Sequence, residues 1–287
     1  LLEKYLFAAE KIADRAVSIP RRGQSLRKDQ LTKFQQRYFR YPIPPKLRRR
    51  AAEGFVRPFM RRAYRREVTN DEVGRVMRLA KVAVDDGGSF EDGIRLAVQA
   101  VLISPHFLFR WELDGAPENP KAIRSLNEYE LASRFSFFLW SSMPDDRLLD
   151  LAGKAQLRKN LKQEMLRMLS DKRAAALVGN FAGQWLQLRN LDVYQPDKNL
   201  FPMFTPELRA AMRRETEQLF SHIALENHSV LEILSADYSF LNERLAGFYG
   251  ISGVKGNSFR RVSLRGIPRG GILTHASVLT ITSDPKD

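Results

Sequence analysis

The chain has no cysteine among its 287 residues. Disulfides, thiolate nucleophiles, cysteine-ligated zinc and a haem attached through Cys-x-x-Cys-His are therefore excluded within them. No apolar run approaches the roughly 18 residues that a membrane-spanning helix needs. Gly-x-Ser-x-Gly, P-loop and Gly-x-Gly-x-x-Gly motifs are all missing, so no catalytic residue is assigned and enzyme status stays open. The sequence opens at Leu1 without a basic n-region or an apolar h-region, which puts any signal peptide outside this segment. It stops at Ser283 to Asp287, a turn-like stretch with no terminating element, and both ends read as cuts.

Positive charge is plentiful and unevenly spread. Residues 1–80 hold 21 Lys and Arg against 8 Asp and Glu, while the rest of the chain is nearly balanced, so an anionic partner is expected at the N-terminal quarter. Within it, Arg37 to Tyr41 and Arg61-Arg62-Ala63-Tyr64-Arg65-Arg66 interleave arginine with aromatics. That pattern suits phosphate contacts combined with base stacking. It equally suits core aromatics flanked by arginine stems that cover apolar surface.

Periodicity predicts an all-α chain with a small, partly β C-terminal segment. Leu2, Leu6, Ala9, Ile12 and Ala16 make one helical stripe. The prolines and glycine from Pro20 to Pro45 read as linker around a short basic helix, and the Arg-rich helix that follows is expected to break at Pro58. Thr69 and Ser89 are N-caps of two helices joined at Gly87-Gly88, an antiparallel hairpin. Asp114 to Pro120 is the clearest linker, and Ser125 with Glu128 has capping-box spacing. Thr205-Pro206 starts the longest helix, about 206–228. Ser229 to Glu232 and Ser239 to Tyr249 read as short helices, and only Phe259 to Leu264 alternates as a strand. The resulting segments are 1–45, an N-terminal helix and basic linker; 46–113, a basic helical hairpin; 121–250, the main helical domain; and 251–287, the truncated start of another.

Candidate chemistry is sparse. Glu215, His222 and Glu226 share a helix face and form a candidate metal set, although the adjacent-turn spacing of His-Glu-x-x-His is missing. A salt-bridged helix face is the competing reading. The acidic pairs Asp85-Asp86, Asp145-Asp146 and Glu215/Glu217 fit helix first turns and surfaces better than acid–base catalysis. Gly266 to Gly271 is a candidate anion-binding nest or a plain turn. Arg61, Arg62, Arg65 and Arg66 are the candidate anion-binding residues.

Several stretches resemble the helical domains of unknown function numbered 1587, 1595, 1592 and 1588 of planctomycete-type proteins associated with c-type cytochromes. Leu1 to Leu6 with Ala8-Ala9-Glu10 is similar to the end of the first. Arg61 to Arg66, Val68-Thr69, Phe90 to Ile94 and Leu102 to Arg110 resemble the second. Leu126 to Trp140, Asn180 to Leu188, and Phe240 to Ala246 with Tyr249-Gly250-Ile251 resemble the third, and Arg269 to Thr280 the start of the fourth. The resemblance implies a non-haem scaffold or docking module of an exported protein, periplasmic or at the cell surface, with no cofactor in this segment. Its partners would be flanking haem domains of the same protein, with His275 a candidate axial ligand. The rival readings are an anionic-polymer module, for acidic polysaccharide or nucleic acid, acting through residues 21–66, and an uncharacterised enzyme.

Overall fold

The computed structural model describes residues 2–20, 24, 26–112, 118–119, 121 and 123–283. The linker expected at Asp114 to Pro120, the Arg21-Arg22-Gly23 turn and the last four residues lie wholly or largely outside that set. The chain forms two compact units, residues 1–136 with 143–161, and residues 137–142 with 162–287. Helix dominates both, and a single two-stranded sheet is found among the described residues, close to the C-terminus.

In the first unit the helices are α1 (Leu2–Ala16), α2 (Lys33–Tyr38), α3 (Arg48–Tyr64), α4 (Asn70–Asp85), α5 (Phe90–Leu102), α6 (Pro105–Leu108), most of α7 (Glu128–Trp140) and α8 (Asp146–Gly153). Thr69 with Glu72, and Ser89 with Asp92, form the capping boxes that start α4 and α5. A Cβ on Gly93 would stand 2.7 Å from the Ala80 carbonyl oxygen, so glycine is what lets these two helices pack so closely. Residues 31–45, expected as linker around a short helix, pack into the core instead. Phe39 is buried, and Phe34, Tyr38 and Tyr41 pack with Phe55 and Phe90 in the same core as Ala13, Val17, Met60 and Ile94.

Two local expectations are corrected here. α3 runs straight through Pro58, because Pro58 and Gly54, whose carbonyl loses its partner, both face solvent. The buried stripe Ala52, Phe55, Val56, Met60, Ala63 and Tyr64 offsets that lost bond. α7 is capped by Asn127 rather than Ser125: Asn127 Oδ1 accepts the Glu130 N–H at 2.9 Å, and Glu130 Oε2 accepts the Asn127 N–H at 2.8 Å. Of the stripe of α1 only Ala9 is fully buried, while Leu2, Leu6 and Ile12 stand at 69%, 49% and 54% exposure.

The second unit holds α9 (Leu161–Leu169), a π-helical segment (Leu177–Ala182), α10 (Gly183–Trp185), α11 (Pro206–Leu225), α12 (Glu232–Ser235), β1 (Tyr238–Leu241), α13 (Glu243–Phe248), β2 (Arg260–Ser263) and α14 (Ala276–Thr282). α11 is the axis. Its buried face, Leu208, Ala211, Met212, Glu215, Thr216, Leu219, Phe220 and Ile223, receives β1, α13 and α14. β1 pairs antiparallel with β2, Tyr238 opposite Ser263. A helix from Ser239 is therefore wrong for four residues: Asn242 accepts the Leu245 N–H and starts α13 only after the strand. The short helix expected at Ser229 to Glu232 instead starts at Glu232.

Candidate functional site

The four arginines singled out for anion binding are all engaged inside the first unit. Arg66 grips Glu72 with both terminal nitrogens, at 2.7 and 3.1 Å, and holds that carboxyl down to about 2. Arg61 reaches Glu67 at 2.7 Å and Asp150 at 2.9 Å. Arg62 binds Asp146 through two nitrogens and donates to the Tyr38 hydroxyl at 3.0 Å. Arg65 is buried and donates to the carbonyls of His106, Phe107 and Phe109 at 2.9, 3.2 and 2.6 Å. It also sits at φ 56°, a left-handed cap position that favours glycine, ending α3. The motif is thus a set of clamps joining the end of α3 to α4, α6 and α8.

In the second unit the supposed metal set separates. Glu215 and His222 are seven residues apart, two helical turns or about 10 Å, too far to share an ion. Glu215 is buried and accepts from Ser239 Oγ and Tyr249 Oη, each at 2.6 Å. Burial lifts its carboxyl to about 7. His275, the candidate axial ligand, lies 3.8 Å from Glu215 through Nε2, while its Nδ1 meets Thr216 Oγ1 at 2.9 Å. Burial, helped by Arg269, pushes His275 down to about 3. The pair is neutral in weakly acidic solution, because charging both in a dry site costs more than attraction at 3.8 Å returns. Thr216, His275 and Glu215 follow one another like a hydroxyl–base–acid relay. Their exposures of 0%, 2% and 1% deny any substrate or haem access, so the arrangement is a polar pin between α11 and α14.

His222 and Glu226 do stay together, and the fold adds His228, which the helical wheel missed. Asn227 takes φ 61°, and the His228 N–H returns to the Ile223 carbonyl at 3.0 Å. This is a Schellman closure of α11. It lays the His228 ring over His222 with centroids 4.1 Å apart. His222 Nδ1 is 2.9 Å from Glu226 Oε2, and one donor atom from each of the three residues lies within 4.8 Å of the others. Asn227, a residue that favours the left-handed helix stop, was the available signal; the helix ends at Leu225 instead of running to about 228.

The glycine turn is no open nest. The Gly271 N–H goes to the Ala236 carbonyl at 2.9 Å and the Gly270 N–H to Thr274 Oγ1 at 2.9 Å. No helix among the described residues is long and apolar enough to cross a membrane.

No curated protein and no solved structure matches the chain. Residues 51–112 match the family model PSD5, protein of unknown function (DUF1595), which takes in α3 to α6 and the arginine clamps. Residues 126–251 match PSD4, protein of unknown function (DUF1592), from α7 through Glu215 and the His222 cluster to the end of α13. Two stretches in sequence are thus similar to helical domains of unknown function, the first to DUF1595 and the second to DUF1592.

Proposed function

We propose that this segment is a non-haem helical scaffold that docks haem-bearing portions of a larger, exported, cytochrome-associated protein. One observation carries the reading. Polar side chains of the recognisable motifs are paired within the fold, whereas bulky apolar side chains point outward where the apolar stripes of α1 and α14 run on uncovered. Leu2, Leu6, Phe7 and Ile12 on α1, and Leu279 on α14, are exposed, and Leu279 borders a 370 Å³ groove with Leu200, Phe201, Met203 and Phe248. Exposed apolar surface of this kind is uncommon on soluble monomers and marks contact sites. Export and the haem partners rest on the family resemblance alone.

The test begins with the gene on either side of this segment. A flanking Cys-x-x-Cys-His portion, produced separately, should bind the segment, and Leu6→Glu should weaken binding without changing the thermal midpoint. A reading frame with no haem motif, or no association between the parts, removes the proposal.

A polyanion-binding role keeps one favourable observation. Lys46, Arg48, Arg49 and Arg50 are exposed around the first turn of α3, where the helix dipole opposes them. Reversing Arg48, Arg49 and Arg50 together should flatten the salt dependence of heparin binding if that role is real. An unchanged slope argues against it.

A further inference from the structure

We propose that His222, Glu226 and His228 bind one divalent transition-metal ion of the zinc type at the C-terminal end of α11. The site goes beyond the scaffold reading and does not depend on it. Two imidazole nitrogens and a carboxylate oxygen suit zinc, copper or nickel over magnesium or calcium, which prefer all-oxygen shells. With bonds of about 2.0–2.2 Å, a tetrahedral ion needs its donors roughly 3.4 Å apart. The donors lie within 4.8 Å of one another and close on the ion by side-chain movement, for which Glu226, with a side chain 63% exposed, and the exposed His228 have room. That exposure also gives the ion its entry path and leaves a fourth position to water.

The surroundings support the donors. Glu232 Oε1 lies 3.6 Å from His228 Nδ1, and its other oxygen accepts the Tyr238 hydroxyl at 2.5 Å. At 3.6 Å this is an ion-pair approach, one short movement from the carboxylate–imidazole hydrogen bond that fixes ligating rings. Tyr238 and Phe240 stand edge-on to His222, with centroids at 5.7 and 5.4 Å, and hold its ring in place. The carbonyl end of a 20-residue helix adds partial negative charge where the cation would sit.

One feature limits affinity. His222 Nδ1 is the atom facing Glu226, so metal entry there moves the ring proton to Nε2, which is buried without a partner. An unpaired buried donor lowers affinity by roughly ten- to a hundred-fold.

The experiment is equilibrium dialysis of the untagged chain against zinc chloride with elemental analysis, paired with a cobalt titration read by visible ligand-field bands. One zinc per chain and tetrahedral-type cobalt bands are expected. His228→Ala and Glu226→Gln should each weaken zinc binding at least tenfold while circular dichroism stays unchanged. Both change residues outside the core, and should His228→Ala fold poorly, Glu226→Gln decides. Zinc retained equally by a folded variant, absence of a stoichiometric ion, or octahedral-type cobalt bands would overturn the site.

Discussion

Tyr249 donates its hydroxyl proton to Glu215 at 2.6 Å and accepts the Ala276 backbone N–H at 2.8 Å, so one phenol fastens α11 to the first turn of α14. Burial and the neighbouring Glu215 both raise the tyrosine's pKa, which keeps the proton on the phenol. Tyr249→Phe leaves the carboxyl short of a donor and the Ala276 N–H unpaired. The expected loss is about 2–4 kcal/mol of unfolding free energy, read from urea denaturation. A variant as stable as the parent would show that water takes the hydroxyl's place.

Glu215 and His275 make opposite contributions to pH dependence. Glu215 is raised to about 7, so its contribution is fully present below the unfolded value near 4.5 and is lost as pH rises through about 7. His275 is lowered to about 3, so its contribution is present above the unfolded value near 6.5 and is lost as pH falls toward about 3. Between roughly pH 4.5 and 6.5 the two slopes cancel. Glu215→Gln removes one of them. Relative to the parent, the variant should then gain stability with rising pH in this window, by about 1.4 kcal/mol per unit at most. Parallel pH profiles for parent and variant would refute the assignment.

Arg65 separates backbone strain from hydrogen bonding. Arg65→Gly relieves a left-handed residue, worth about 1–2 kcal/mol. It also strips four carbonyls, those of Ala63, His106, Phe107 and Phe109, of a charged donor, together worth about 4.5 kcal/mol or more. The loss exceeds the gain, so net destabilisation of about 3 kcal/mol is expected in chemical denaturation. An increase in stability would mean that water serves those carbonyls.

Gly271 and Gly179 provide a contrast within the second unit. A Cβ at Gly271 would stand 2.2 Å from the Leu234 carbonyl oxygen, and the residue has φ 58°. Gly271→Ala should therefore cost about 3 kcal/mol or more, since backbone has to move. Gly179 has nothing within 4 Å of a Cβ, and Gly179→Ala should be neutral or stabilise by up to about 1 kcal/mol. Thermal midpoints of the two variants check both.

Features set by neighbouring residues were legible in the sequence. Thr69 with Glu72 and Ser89 with Asp92 cap through bonds three residues apart, and Thr205 accepts the Leu208 N–H as its position suggested. Features settled by distant partners were not. β1 exists because β2 pairs with it some twenty residues later, and α3 survives Pro58 because its opposite face is buried. The metal set is regrouped for the same reason. A helical wheel groups Glu215 with His222 but ignores the rise along the axis, and a helix carried to residue 228 runs straight through the reversal at Asn227 that delivers His228.

The π-helical segment from Leu177 to Ala182 has a consequence for insertions and deletions. A π turn carries an extra residue, so the side chains beyond it are rotated by roughly 100° from where a continuous α-helix would put them. Trp185 now stacks on Phe181, with centroids 5.9 Å apart, and both are exposed. Removing one residue between Leu177 and Ala182 would restore ordinary helical phase and turn this aromatic pair off its present face. The same deletion inside α11 would rotate Glu215 away from Tyr249. A one-residue gap in this segment therefore turns the aromatic pair and also shifts the buried Leu177, Val178 and Ala182, whereas a gap in α11 breaks the Glu215 pin.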